Sequence, residues 1–451
     1  MNAHMQEKMD KYVWLDDEII CSIYRYPNRT MLTVGNNSYD RFTGVGMDVI
    51  DENIDIIINN MDKKLKDYFK EDMIPDLEFF EFKKWIRYED EPQKDNKIKI
   101  FGDRVNTFAS HLALELTDKC NLACKHCYRD AGVTGDFMPK EKLFHAIDRA
   151  IEQGLSIIEL TGGEVTLHPD FCEIVDYVSA RLEVVAILTN GYYYNEEIIN
   201  CLLRNKEHLL VNISIDSSYP EYHDSFRGKK GAWEKSCNLI RILADNGILV
   251  RVAMSVTPQN MFDVENTVKM VKEWGVKSFA FETVSGFGRG SEIDWSTVQP
   301  EDMRKYMKVA NYINRKYLDM LTLVPAKMCR MMNNREINCG AGWRTFAVNP
   351  KGEKRFCVNT PTNMLSLGNF FEEEEDAKTT ELISKAAKIP VPTFHQCNKC
   401  ERYVYCQGCL LKGVIASNNF DECVWEGKVL NSDCNITTSP YEYTCKKTIL
   451  G

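Results

Sequence analysis

The tightest constraint on this chain is the run Cys120-Asn-Leu-Ala-Cys124-Lys-His-Cys127-Tyr128, a C-x3-C-x2-C spacing. Three thiolates this close together can hold a [4Fe–4S] cluster, which normally takes four Cys ligands. One iron is then left without a protein ligand, open to a small chelating molecule. The competing readings are a zinc site or three unrelated buried thiols. Zinc motifs favour C-x2-C pairs, and catalytic zinc usually draws on His or carboxylates as well. The spacing, the apolar strand pattern before it and the aromatic Tyr128 favour the cluster.

The sequence around that loop alternates strand and helix. His111–Thr117 reads as a strand ending at the cysteines, followed by a helix over 141–153. Strands follow at 156–161, 184–189, 210–216, 249–256 and 278–284, with helices at 171–182, 196–204, 233–245, 264–274 and 303–318. Six βα units predict an α/β fold with a parallel sheet curled into a partial (β/α)6 TIM-like barrel. In such sheets the chemistry sits at the C-terminal strand ends.

The remaining motifs fall at those ends. Thr161-Gly162-Gly163-Glu164 follows the second strand: two glycines allow close backbone approach to a ligand, and the carboxylate can take an ammonium. Thr189-Asn190-Gly191 ends the third, where a simple turn is the plain reading of Asn190. Ser214 and Asp216 share a face of the fourth, a hydroxyl and a carboxylate that suit a ribose, unless Asp216 caps the loop. Arg251 on the fifth would point inward and need an anionic partner, either a ligand or a structural ion pair. Glu282, at the end of the sixth, is a candidate proton acceptor, and Gly286-Phe-Gly-Arg-Gly290 beyond it a flexible loop.

The 451 residues suffice for two or three domains. Residues 1–95 read as a separate unit, with short strands at 12–15, 19–24 and 30–34, a helix over 54–69 and a last element over 78–86. Strands followed by helices suggest a small winged-helix-like module, and the charged stretch 89–97 reads as a linker. The formal net charge of −10 does not suggest nucleic acid as a partner. The first ten residues lack the pattern of a signal peptide, and no apolar run is long enough for a membrane span, so a cytoplasmic setting is expected. Ten of the seventeen Cys lie between Cys329 and Cys445, and in a reducing compartment such clustering points to metal or catalysis. Cys21, Cys172, Cys201 and Cys237 sit in apolar-periodic segments and read as buried, inert thiols.

The cysteine loop resembles that of the radical S-adenosylmethionine (SAM) enzymes. The resemblance implies that SAM occupies the open iron of the cluster on Cys120, Cys124 and Cys127. It further implies that Gly162, Gly163 and Glu164 hold the SAM amino group and Arg251 its carboxylate, with Tyr128, Asn190, Ser214 and Asp216 as the other contacts. Downstream, Cys339-Gly-Ala-Gly to Gly352 and Cys357 gives C-x12-G-x4-C, followed by Cys397-Asn-Lys-Cys400, Cys406-Gln-Gly-Cys409 and Cys423. This resembles the SPASM extension, with one departure: Cys406 to Cys409 is x2 where the family has x3. By that resemblance Cys339, Cys357 and Cys409, with Cys329 as fourth ligand, hold one auxiliary [4Fe–4S] cluster. Cys397, Cys400, Cys406 and Cys423 hold a second, with Cys434 as an alternative to Cys423, and Cys445 has no counterpart. Zinc ribbons are the competing reading of the two C-x2-C pairs.

The three parts are expected as domains 1–95, 105–320 and 325–451. Together they resemble the radical SAM/SPASM peptide maturases, with Ile187–Gly191, Asp224-Ser-Phe-Arg-Gly228, Val250–Val256 and Cys339–Trp343 nearest the sactipeptide-forming members. The resemblance implies an enzyme that joins a Cys sulfur of a ribosomally made precursor peptide to a carbon, forming a thioether. The first unit would bind the peptide's leader, as in the leader-recognition modules that add a strand to a sheet edge. A flavodoxin- or ferredoxin-type protein would supply electrons. Epimerisation, a carbon–carbon link, thioethers at other carbons and a sulfatase-maturing dehydrogenation remain open alternatives. A non-enzymatic iron–sulfur or zinc protein would not need Gly162-Gly163-Glu164.

Overall fold

The structure is a computed structural model that describes residues 3–26, 29–34, 51–182, 184–284, 288–317, 320, 340–360, 366–373, 377–387, 389–393, 397, 400, 406, 409–413, 423 and 425. The chain divides into two compact units, Met1–Phe108 and Ala109–Gly451.

The first unit contains α1 (Ala3–Gln6), β1 (Tyr12–Leu15), β2 (Ile20–Tyr26), β3 (Arg29–Val34), α2 (Asp51–Ile58), α3 (Ile74–Phe82), β4 (Ile86–Glu89) and β5 (Lys99–Phe101). β1 pairs antiparallel with β4, and β2 lies between antiparallel β3 and parallel β5. Alternation along β1 sends Val13 and Leu15 into the core. The helix expected over 54–69 stops at Ile58. Asn60 Nδ2 donates to Ile56 O at 2.7 Å and ends it, and Leu65–Asp67 forms a separate 3-10 turn. The apolar period continues across the break because both pieces cover one core: Ile54, Ile57 and Leu65 are all buried. The 78–86 stretch resolves into the end of α3 and the start of β4. In the charged stretch after it, the Gln93 amide brackets Leu15, accepting from its N–H at 3.1 Å and donating to its C=O at 2.9 Å. β5 has three residues, too few to carry a period, so the sequence alone gives no strand there.

The second unit is built on one nine-stranded sheet. β6 (His111–Thr117), β7 (Ile157–Gly162), β8 (Val184–Thr189), β9 (Leu209–Ser214), β10 (Leu249–Val256) and β11 (Ser278–Thr283) are parallel and adjacent in chain order. This is the expected α/β partial barrel. Its connections carry α4 (Lys140–Gln153), α5 (Phe171–Ser179), α6 (Glu196–Arg204), α7 (Pro220–Arg227), α8 (Ala232–Asp245) and α9 (Val264–Glu273), and α10 (Pro300–Lys316) follows β11. Local chemistry sets their ends: Asn195 caps α6 by accepting from Ile198 N–H at 2.9 Å, and Gly154 closes α4 in the left-handed conformation. Along β10, Val250, Val252, Met254 and Val256 are buried, while Arg251, Ala253 and Ser255 take the other, partly open face.

The cysteine-rich region continues this sheet. β12 (Thr345–Val348) pairs parallel with β6, on the edge opposite β7, and β13 (Glu353–Arg355) and β14 (Ser366–Asn369) add antiparallel strands before α11 (Ala377–Ala386). Cys357 therefore follows a strand only two places from the strand that feeds the primary cysteine loop.

Leu65→Ala removes a fully buried side chain from the first unit. It is expected to cost about 2–5 kcal/mol and to speed hydrogen exchange of the Tyr12–Leu15 amides, because Leu65 N–H donates to Lys11 O beside β1.

Candidate active site

The cysteine loop leaves β6 at Thr117 and is held by backbone from four directions. Cys120 N–H donates to Gly132 O at 2.6 Å within the loop. From the second strand end, Gly163 and Glu164 N–H donate to Thr117 O and Lys119 O at 2.7 and 2.8 Å. From the end of α7, Arg227 O and Phe226 O accept from Ala123 and Lys125 N–H at 3.1 and 2.9 Å. After β11, Arg289 N–H donates to Cys127 O at 3.0 Å and its Nε to Cys124 O at 2.8 Å, while both Nη atoms reach Ala131 O at 3.2 Å.

Glycines permit these approaches. A Cβ on Gly163 would lie 2.2 Å from Lys119 O, and one on Gly228, at φ +68°, would lie 2.7 Å from Ala123 O. The tight contact at Gly162-Gly163 is thus with the protein's own cysteine loop.

Each of the three sulfurs meets an N–H donor, and Cys120 takes one from the Leu122 backbone as well. Asn190 Nδ2 lies 3.8 Å from Cys120 Sγ, Arg227 Nη1 3.9 Å from Cys124 Sγ, and Ala131 N 3.4 Å from Cys127 Sγ. Cys120 and Cys124 are buried and Cys127 partly so. Burial pushes the Cys120 thiol up to about 12 and raises Cys124 as well. Such thiols keep their protons until a metal displaces them. The donor set fits an iron–sulfur cluster: soft sulfur ligands on one short loop, with N–H groups turned toward the charge they would carry.

The other candidate residues differ in their partners. Glu164 is 1% exposed; Oε1 accepts from Thr166 N, Thr166 Oγ1 and Thr189 Oγ1, and Oε2 from Asn190 N at 2.7 Å. It thereby joins the second and third strand ends. Asn190 is more than a turn: its Nδ2 also donates to Asn121 Oδ1 at 2.9 Å, tying the third strand end to the cysteine loop. Tyr128 is partly buried, and burial raises its hydroxyl. Ser214 is half-buried as the last residue of β9.

Asp216 is fully buried and turned to Arg227, accepting from Nε at 2.5 Å and Nη2 at 3.1 Å, and from Ser255 N at 3.0 Å. Burial alone would raise this carboxyl, but Arg227, with His126 and His223 nearby, holds it down to about 2. Arg251 is level with Asn212, two residues before Ser214, on the partly open face of its strand. Glu159 is its acidic neighbour: burial opposes ionisation there, but His111, 3.5 Å away, and then Arg251 hold the carboxyl low. Glu282 pairs with the buried Lys412.

Residues that spacing did not single out complete the site. Glu115, buried on β6, pairs with both Arg129 and Arg355, and Arg129 pairs also with Asp118. Arg129 stands two residues after Cys127, and Arg355 two residues before Cys357. Arg227 and Arg289 lie in stretches noted for their resemblance or their glycines, but only the fold brings them to the cysteines.

Among the C-terminal cysteines, Cys357, Cys397, Cys400, Cys406, Cys409 and Cys423 are described; Cys329, Cys339, Cys434 and Cys445 lie outside the described residues. Burial raises Cys406 to about 12, and Cys423, Cys400, Cys397 and Cys409 all lie near enough to raise it further. Lys412 N–H donates to Cys409 Sγ at 3.5 Å. Cys201 and Cys237 are fully buried, as expected of inert thiols, whereas Cys172 is partly open.

Residues 114–271 match the radical SAM superfamily. Over 323 residues the chain is 36% identical to the antilisterial bacteriocin subtilosin biosynthesis protein AlbA of Bacillus subtilis (strain 168), covering 70% of each chain. The chain belongs to the radical SAM superfamily. A [4Fe–4S] cluster and SAM are the cofactors that this membership carries, and they suit the loop of Cys120, Cys124 and Cys127. The radical SAM chain is also 30% identical over 199 residues to the sporulation killing factor maturation protein SkfB of the same organism, covering 44% of this chain and 48% of that one. Its fold is similar to that of Streptococcus suis SuiB bound to S-adenosylmethionine, with a TM-score of 0.59 at 13% identity over 96% of this chain and 100% of that one. No helix among the described residues is long and apolar enough to cross a membrane.

Gly163→Ala forces the Lys119 carbonyl away from the second strand end. The reconstituted variant is expected to lose the primary cluster, about four irons per chain, with little change in its circular dichroism, as checked by iron analysis.

Proposed function

We propose that this radical SAM enzyme modifies a ribosomally made precursor peptide, joining a peptide Cys sulfur to a carbon as a thioether. The observation that carries the reading is the 36% identity across 323 residues to a subtilosin biosynthesis protein, in a chain whose three cysteines form one donor loop at a strand end. The cluster with its bound SAM supplies a 5′-deoxyadenosyl radical, the species able to take a hydrogen atom from the peptide.

The chain's own residues position and shield. Cys120, Cys124 and Cys127 hold the cluster. Gly162, Gly163 and Glu164 face the SAM amino group. Glu164 Oε2 accepts one N–H among the described residues and so keeps a lone pair for an ammonium. Asn190, Ser214 and Tyr128 would be further contacts for SAM, and Arg251 would offer charge to its carboxylate. Asp216 acts through Arg227, because its oxygens are already bonded inside the fold.

The C-terminal cysteines hold two auxiliary [4Fe–4S] clusters: Cys329, Cys339, Cys357 and Cys409 the first, and Cys397, Cys400, Cys406 and Cys423 the second. The proximity of Cys397, Cys400, Cys409 and Cys423 to Cys406 supports a cluster-binding group of cysteines there. A metal-bound thiol loses its proton, so an auxiliary site would activate the peptide Cys without a protein base and would take up the one electron released when the carbon radical bonds to sulfur. That suits the pairing of Glu282 with Lys412. The first unit binds the leader of the peptide, a flavodoxin- or ferredoxin-type protein delivers electrons, and the setting is cytoplasmic.

Anaerobically reconstituted enzyme is expected to hold about twelve irons and essentially no zinc per chain. About four irons with one or two zincs would sink the auxiliary clusters. With SAM, a reductant and the Cys-bearing peptide, mass spectrometry should show a loss of two hydrogens per thioether. Cys124→Ala should abolish that loss while peptide binding persists. An unmodified peptide with the intact enzyme would count against the reading.

A further inference from the structure

The three primary sulfurs do not have equivalent partners. Cys120 and Cys127 face neutral amide N–H groups, from the Asn190 side chain and the Ala131 backbone, whereas Cys124 faces a guanidinium. We propose that Arg227 is a positioning residue that sets the reduction potential of the primary cluster, by fixing a positive charge beside Cys124. This rests on the cluster that family membership carries and not on the peptide chemistry.

Arg227 is held too firmly to be an incidental neighbour. Its Nε and Nη2 are engaged by Asp216, which leaves Nη1 directed at Cys124 Sγ at 3.9 Å. Its own carbonyl accepts from Ala123 N–H at 3.1 Å, so backbone and side chain grip the cysteine loop together. Gly228, in the left-handed conformation at the end of α7, allows that backbone contact. Asp216 is fixed in turn by Ser255 N–H, and its backbone carbonyl by Asn260 Nδ2 at 2.7 Å. Phe226 stacks on His126, between Cys124 and Cys127, with ring centroids 4.4 Å apart.

The physical consequence follows from charge. Reduction adds one negative charge to the cluster and its thiolates. Hydrogen bonds to the sulfurs and nearby net charge are the protein's levers on that equilibrium. The guanidinium stands between the Asp216 carboxylate and the sulfur, so the nearer charge is the positive one, and it favours the reduced form. A buried ion pair is often replaceable by apolar residues without loss of stability, so stability alone is a weak reason for placing one here.

The test uses the full reconstituted chain without peptide. The variant Arg227→Met/Asp216→Asn removes both charges together and leaves no buried ion unpaired, and Arg227→Lys keeps the positive charge. Iron is counted, and the midpoint potential is read by an EPR-monitored redox titration of the signal that changes when SAM is added. The double variant is expected to keep its iron and to move to a more negative potential. At the parent midpoint its ratio of reduced to oxidised cluster should fall about tenfold, about 59 mV for a one-electron couple. Arg227→Lys should recover most of that shift. An unchanged midpoint in the double variant overturns the proposal, as does an Arg227→Lys midpoint equally negative. Loss of the primary irons from the double variant, with Arg227→Lys intact, would assign the pair to cluster retention and also overturn it. Failure of the peptide reaction would leave all these readouts in place.

Discussion

The carboxylate of Glu115 is the joint on which the second unit turns. It is buried on β6 and accepts from two guanidiniums, one just after Cys127 in the primary cysteine loop and one just before Cys357. Arg355 relies on it most, since a buried charge with its partner removed costs about 3–5 kcal/mol, whereas Arg129 pairs also with Asp118. The pairing also explains why β12 and β13 belong to the barrel sheet. They bring Arg355 across to β6, and Arg355 Nη1 then donates to Thr360 O beside Cys357 at 2.5 Å. The placement of one cysteine loop is thereby mechanically connected to that of the other.

A second layer of order comes from donors. Three strand ends and one helix end converge on the primary loop; those at Gly163, Arg227 and Arg289 bond its backbone, and Asn190 bonds its side chains. Glu164, Asn190, Arg227 and Arg289 all look inward to this scaffold. Several residues that sequence logic would give to a ligand therefore act at least partly on the protein. Glu164 joins two strand ends, Asn190 touches both Asn121 and Cys120, and Asp216 orients an arginine. A loop that must present a redox group without moving needs such support, because small displacements of ligands or donors change its properties.

Much of this was legible in the sequence. The alternation of apolar strands and amphipathic helices gave the six parallel strands and their order, because each βα unit carries its own period. The three-cysteine spacing located the reactive loop, and the strand-end rule pointed to Gly162-Gly163-Glu164 and Asn190, which contact it. The misses have physical causes. An apolar period that spans two separate segments on one core looks like a single helix, as it did over 54–69. Three-residue strands such as β5 and β13 carry no period at all.

The sequence by itself determined the chemistry: three soft ligands on one short loop, glycines at the next strand end and a further cysteine series downstream. Those choices are local, set by spacing and residue type. Only the tertiary structure decided which charges meet those ligands. Glu115 and Arg355 are 240 residues apart, and Arg227 and Cys124 are 103. Nothing in the linear order links them. Arg227 and Cys124 meet because parallel strands carry their C-terminal loops to one end of the sheet, whereas Arg355 reaches Glu115 from antiparallel β13 across β12, because a buried ion must find its counter-charge wherever the chain brings one.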